Sequence, residues 1–178
     1  VLKGGVVRAV ILNSGGANAC TGPAGFQDTH ATAEHTAAAL RGGPKPLLLG
    51  AGDVAVCSTG LIGERLPMDK LLPGVEAAVR GLSRDGGPAA AEAIMTTDTV
   101  SKTAVVEGTG WSVGGMIKGA GMLAPGLATM LCVLTTDAVA GSDALDAALR
   151  HATRVTLDRV DSDGAMSTND TVLLLASG

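Results

Sequence analysis

The segment Lys118-Gly-Ala-Gly-Met-Leu-Ala-Pro-Gly-Leu-Ala-Thr-Met-Leu-Cys-Val-Leu-Thr-Thr-Asp137 limits what this chain can fold into more than any other. Its first half is rich in Gly and Pro, which interrupt regular structure and let the backbone bend. Its second half, from Met130 to Leu134, is an apolar run that reads as a strand. At the junction a small residue, Ala128, directly precedes a hydroxyl residue, Thr129. A precursor that cuts itself to expose an N-terminal nucleophile needs this arrangement. The hydroxyl must reach the carbonyl before it, so the backbone there must bend and the flanking side chains must be small. Cleavage between Ala128 and Thr129 would free an amine beside the threonine hydroxyl, where it can serve as general base. An Ala-Thr pair is also a common way to begin an ordinary strand, and spacing alone does not separate the two readings.

Composition narrows the class. Among 178 residues, 46% are hydrophobic and 17% charged, enough to build one sizeable core and too apolar for a disordered chain. Aromatic side chains are nearly absent, with one Phe, one Trp and no Tyr, so the core must be aliphatic. That scarcity, with a net charge of −4, argues against a nucleic-acid partner. No run of about eighteen apolar residues spans a membrane, and no export signal opens the chain. The three cysteines, Cys20, Cys57 and Cys132, form no metal-ligand spacing and are expected to be buried, reduced thiols of a cytoplasmic protein.

The pattern along the chain predicts an α/β layered domain. Val6 to Leu12 reads as a buried strand, and Pro23 to Leu40 as an Ala-rich helix stopped by Gly42-Gly43. A Gly/Pro loop follows to Asp53, then a short strand Val54 to Cys57 ending in Ser58-Thr-Gly60. Met68 to Leu82 reads as a helix broken at Pro73-Gly74, and another short helix begins at Gly86-Gly87-Pro88. Strands are expected at 103–107, at 111–118 and around Val133. A helix from Asp143 to about Leu157, capped by Ser142, should turn Leu145, Leu149 and Ala147-Ala148 inward, and a last strand covers 171–175. The expected order is β-α-β-α-α-β-β-β-α-β in one domain.

Several residues could carry chemistry. Ser58-Thr59-Gly60 ends a strand in a turn whose hydroxyls and N–H groups could face a developing oxyanion, although strand-ending turns are common without any such role. Lys118 could bind a carboxylate or lower the pKa of a nearby amine, or could simply be a solvated charge at a strand end. Thr96, which opens Thr-Thr-Asp98, suits a helix cap or turn. Asp98 and Asp137 could be general acids or bases, but read first as turn-forming carboxylates bonded to local N–H groups. His30 and His35 lie on different faces of one helix, and Asp161-Ser-Asp-Gly164 lacks the later acidic ligand of a calcium loop, so no metal site is expected.

The segment 118–137 resembles the cleavage region of the ornithine acetyltransferases, the bifunctional glutamate N-acetyltransferase/amino-acid acetyltransferase family of arginine biosynthesis. Asn13-Ser-Gly-Gly-Ala-Asn-Ala-Cys-Thr-Gly22, Cys57-Ser-Thr-Gly-Leu-Ile-Gly63, Leu66-Pro-Met-Asp-Lys70, Ile94-Met-Thr-Thr-Asp98 and Ser167-Thr-Asn-Asp-Thr171 follow in the family's order and cover nearly the whole chain. The resemblance implies a layered α/β sandwich of the self-processing, N-terminal-nucleophile-like type. Residues 1–128 would belong to a small chain and 129–178 to the start of a large one, as an internal fragment of a longer protein. It implies Thr129 as nucleophile, Thr59 (side chain) and Gly60 (backbone) as oxyanion hole, and Lys118 and Thr96 as substrate-binding residues. The implied substrates are N-acetylornithine and glutamate, with acetyl-CoA as a second donor in bifunctional members and no bound cofactor. Small and large chains would associate as a heterotetramer. An N-terminal-nucleophile amidase or aminopeptidase, or a non-catalytic structural fragment, is the alternative.

Overall fold

A computed structural model describes residues 4–43, 45–124, 127, 128 and 130–178. They form two compact units, Val1–Gly86 and Gly87–Gly178, with the break at the Gly-Gly-Pro where a helix start was read. The elements follow the expected order, with one short addition before the third strand of the second unit.

In the first unit, strand β1 (Ala9–Asn13) pairs parallel with β2 (Val54–Ser58), Ala9 opposite Val54 and Asn13 opposite Ser58. Parallel strands need a crossover, and helix α1 (Gly22–Gly42) supplies it. Pro23 lies in the first turn of α1, where its missing N–H costs no hydrogen bond. The buried face of α1 is made of small residues, Gly25, Thr32, Ala33, Thr36 and Ala37 among them. Thr32 and Thr36 return their hydroxyls to the carbonyls of Asp28 and Thr32, each at 2.7 Å, so neither hydroxyl is stranded on that face. The core joins Ala33, Ala37, Leu49 and Val54, with Ile11, Leu40 and Val56 packed around them.

Helix α2 (Met68–Arg80) packs on α1 and runs unbroken through Pro73, contrary to the expected break. Proline removes one intrahelical N–H donor, but burial of Val75 two residues later anchors the next turn. Arg65, in the loop before α2, grips Asp28 of α1 through two hydrogen bonds of 2.9 and 2.7 Å. This bidentate pair ties the loop after β2 to the helix.

The second unit begins with helix α3 (Gly87–Ala93). Its sheet has the order β3-β4-β7-β8, from Lys102–Gly108, Trp111–Lys118, Leu131–Thr136 and Thr171–Ala176. The first three strands pair antiparallel, and β8 joins β7 in parallel after the crossover helix α4 (Ser142–Val155). The small addition is a two-residue pair, β5 (Leu123–Ala124) with β6 (Leu127–Ala128). At α4 the helix starts at Ser142 with Gly141 in the cap position, so Ser142 is not the cap that was expected. Leu145 and Leu149 are turned inward, one helical repeat apart, but Ala147 and Ala148 are exposed. Beneath α4 lies a cavity of about 270 Å³, lined by Met116, Ile117, Cys132, Leu134, Leu149 and Val172 among others.

Leu131, 1% exposed, is among the most deeply buried side chains. Its truncation in Leu131→Ala is expected to destabilise the second unit by about 2–5 kcal/mol. Guanidinium unfolding followed by the fluorescence of Trp111 on β4, the chain's single tryptophan, measures this.

Candidate functional site

In the first unit, parallel pairing brings the C-terminal ends of β1 and β2 side by side, so their following loops meet. The Thr59 N–H donates to the Asn13 carbonyl at 3.1 Å, and the Leu61 N–H to that of Gly15 at 3.2 Å. The Ala17 N–H returns to the Leu61 carbonyl at 2.8 Å, and the Asn18 N–H donates to Ser58 Oγ at 2.8 Å. These contacts clamp Ser58-Thr59-Gly60 against the loop that carries Asn13 to Asn18.

Gly60 lies at φ +129°, and a Cβ there would come 2.4 Å from the backbone carbon of Gly15. Only glycine lets these two backbones approach so closely. Thr59 is buried. Its N–H is engaged by the Asn13 carbonyl.

In the second unit, Lys118 is the last residue of β4 and is 1% exposed. The reading of Lys118 as a solvated strand-end charge is therefore set aside. Its Nζ donates to Thr96 Oγ1 at 2.9 Å, joining two residues 22 apart in sequence. Thr96 sits in the bend after α3, and its own N–H points to Asp98 Oδ2 at 3.4 Å. Burial, the largest influence, lowers the Lys118 pKa below the usual lysine value of 10.5. Asp98 and Asp170 pull it back up, and Lys102 pushes it down.

Asp98 is more than the local turn carboxylate expected from sequence. No part of its side chain is exposed. It accepts from the Gly119 N–H at 2.8 Å and forms an ion pair with Lys102, besides holding the Thr96 N–H. Burial, the largest influence on its carboxyl, pushes the pKa up. The Lys102 hydrogen bond, the Gly119 and Thr96 N–H groups and the Lys102 charge outweigh that push, so the carboxyl lies below its usual 3.8.

The register places Lys118 opposite Leu131, at the start of the strand that follows position 129. Next to Leu131, the Met130 N–H donates to Asp170 Oδ1 at 3.0 Å, and the Thr171 N–H to the Met130 carbonyl at 3.1 Å. Thr129, the expected nucleophile, lies outside the described residues; Ala128 closes β6. Lys102 and Asp170 were not singled out from sequence. The usable signal was position, since Asp170 directly precedes a strand parallel to the one after Thr129, and Lys102 lies four residues past Asp98.

Other expectations fare variously. Cys57 and Cys132 are buried, but Cys20 is exposed, in a loop at φ +58° that lifts it off the core. Burial pushes the Cys132 thiol up to about 11. Asp137 accepts from the Ser112 N–H across the sheet at 2.6 Å, in addition to its own backbone N–H. Asp161 and Asp163 accept from the N–H groups of Gly164 and Ala165, as residues of a turn. No helix among the described residues is long and apolar enough to cross a membrane.

The ArgJ family profile matches residues 1–178. The chain belongs to the ArgJ family. It is 75% identical over 178 residues to the arginine biosynthesis bifunctional protein ArgJ of Streptomyces avermitilis, covering all of this chain and 45% of that protein. It is 68% identical to ArgJ 1 of Streptomyces clavuligerus over the same share. The chain thus spans about half the length of the curated relatives it matches. Among solved structures, ornithine acetyltransferase of Mycobacterium tuberculosis, complexed with ornithine, superposes with a TM-score of 0.60 at 64% identity, covering 67% of this chain and 62% of that one. The bifunctional ArgJ of Bacillus halodurans superposes with a TM-score of 0.52 at 37% identity, covering 68% and 60%. The α/β fold is thus that of the ornithine acetyltransferases, as expected.

Gly60→Ala places a Cβ into backbone at a φ that L side chains avoid, and is expected to destabilise the first unit by roughly 1–3 kcal/mol. Thermal unfolding by circular dichroism checks it. A thiol reagent at pH 8 is expected to label Cys20 promptly and Cys132 only after denaturation, because the Cys132 thiolate is both buried and scarce below its pKa of about 11. Peptide mapping after timed labelling tells the two apart.

Proposed function

We propose that this chain carries the nucleophile, the oxyanion hole and part of the amino-acid site of an ornithine acetyltransferase in arginine biosynthesis. The observation that carries the reading is the buried Lys118 ammonium bonded to Thr96, at the strand end opposite the start of β7. A lysine ammonium beside a hydroxyl at a strand end can hold a substrate carboxylate by charge and hydrogen bonding together. Membership of the ArgJ family, and a relative whose structure was determined with ornithine, support ornithine as the amino acid concerned.

The reaction follows from the chemistry of a threonine with a free amine. In maturation, Thr129 Oγ attacks the carbonyl of Ala128, the peptide C–N bond breaks to leave an ester, and water hydrolyses the ester. In turnover, the freed amine takes the hydroxyl proton as Thr129 Oγ attacks the acetyl carbonyl of N-acetylornithine. Negative charge gathers on the acetyl oxygen, and by the family resemblance the Thr59 hydroxyl and the Gly60 N–H would stabilise it. The amide bond breaks, ornithine leaves with the proton, and the acetyl group stays on Thr129 as an ester. The glutamate amine then attacks that ester and restores the hydroxyl.

Lys118 and Thr96 hold the amino-acid carboxylate or its neighbouring atoms in both halves. Acetyl-CoA would serve as an alternative acetyl donor. Residues 1–128 and 129–178 would belong to small and large chains associated as a heterotetramer, in the cytoplasm.

Intact mass of the purified chain under denaturing conditions tests the first step. Two pieces, 1–128 and 129–178, are expected from the parent and one uncut species from Thr129→Ala. A chain that stays whole in both, and transfers no acetyl group from N-acetylornithine to glutamate, would sink the proposal. Release of acetate to water in preference to acetylglutamate would show an amidase instead.

A further inference from the structure

We propose that Asp98 is a positioning residue of the amino-acid site: its carboxylate locks the Thr96 bend, the Lys102 ammonium and the β4 end behind Lys118 into one spacing. The reading of Lys118 as a carboxylate holder rests on the proposed function; the placing of Lys118 by Asp98 does not. The contacts come from three separate parts of the second unit. They are the Thr96 N–H after α3, the Lys102 Nζ at the start of β3, and the Gly119 N–H just past β4. Lys102 closes the ring by donating to the Gly119 carbonyl at 3.2 Å. Asp98 therefore holds an atom of Thr96 itself and one of Gly119, the residue next to Lys118. With both carboxylate oxygens accepting and its side chain fully buried, Asp98 is placed to fix geometry and not to move a proton in the reaction.

Charge follows the same geometry. Among the described residues, the charges acting on Lys118 include Asp98, Lys102 and Asp170. With Lys118 itself these make two ammoniums and two carboxylates, a neutral set. Cys132, on the neighbouring strand, stays an uncharged thiol at neutral pH and adds nothing. Removing the Asp98 charge leaves two ammoniums against one carboxylate, which favours loss of the Lys118 proton. Removing the Lys102 charge does the opposite. A carboxylate that merely supports packing would not produce shifts of opposite sign.

The test is the NMR titration of the Lys118 ε-methylene in the labelled chain, beside calorimetric binding of ornithine from pH 6 to 10. Asp98→Asn is expected to move the Lys118 titration down by about one pH unit and to weaken ornithine binding at pH 7.5 by roughly tenfold. Lys102→Met is expected to move the titration up by a similar amount. Shifts in the same direction, or an unmoved titration with only a lowered melting temperature in both variants, would overturn the proposal. Should Asp98→Asn fail to fold, Lys102→Met decides alone, a rise supporting the proposal and no change overturning it. If both titrations move as expected while ornithine fails to bind even the parent, the role of Asp98 toward Lys118 stands and the proposed amino-acid site falls.

Discussion

Burying an ammonium in an aliphatic interior is unfavourable, and much of the second unit answers that one constraint. Lys118 ends β4 with almost no exposed surface, so its charge must be met by groups brought from elsewhere. Thr96 comes from the bend after α3, Asp98 from the same bend, and Asp170 from the residue before β8. The sheet order β3-β4-β7-β8 makes this feasible, because it sets β4 and β8 on either side of β7. Without those partners the lysine would favour its neutral form, and a neutral amine holds a carboxylate poorly.

The first unit meets a different demand, which is close approach of backbone to backbone. Two parallel strands end together, and their loops interlock through Thr59, Leu61, Ala17 and Asn18. Gly60 is the residue that permits it, since any side chain there would overlap Gly15. A turn clamped this tightly holds its groups in a fixed direction, which the proposed oxyanion role would require. The Arg65–Asp28 pair braces the loop just beyond it.

Much of this was legible along the chain. The apolar runs of β1, β2, β4, β7 and β8 and the small-residue face of α1 declare themselves through period and composition. Pro23 and Gly42-Gly43 mark the ends of α1 by local sterics alone. Local rules failed where tertiary packing prevailed. Pro73 does not break α2, because Val75, two residues on, is buried. Cys20 is exposed although free cysteines are usually buried, because its loop turns outward. Asp98 and Asp137 read as turn carboxylates because their distant partners, Gly119 and Ser112, are invisible from sequence spacing.

From sequence by itself come the element order, the aliphatic character of the core, the Ala128-Thr129 pair with its Gly/Pro approach, and the motifs of the ArgJ family. These depend on neighbours a few residues apart, which periodicity, turn chemistry and residue size report directly. Only tertiary structure decided that Lys118 is buried, that it meets Thr96, and that Asp98 joins Lys102 and Gly119 behind them. Such facts depend on strand register and on long-range polar partners. Each is set by the closing of a sheet over many residues, and no local pattern encodes it.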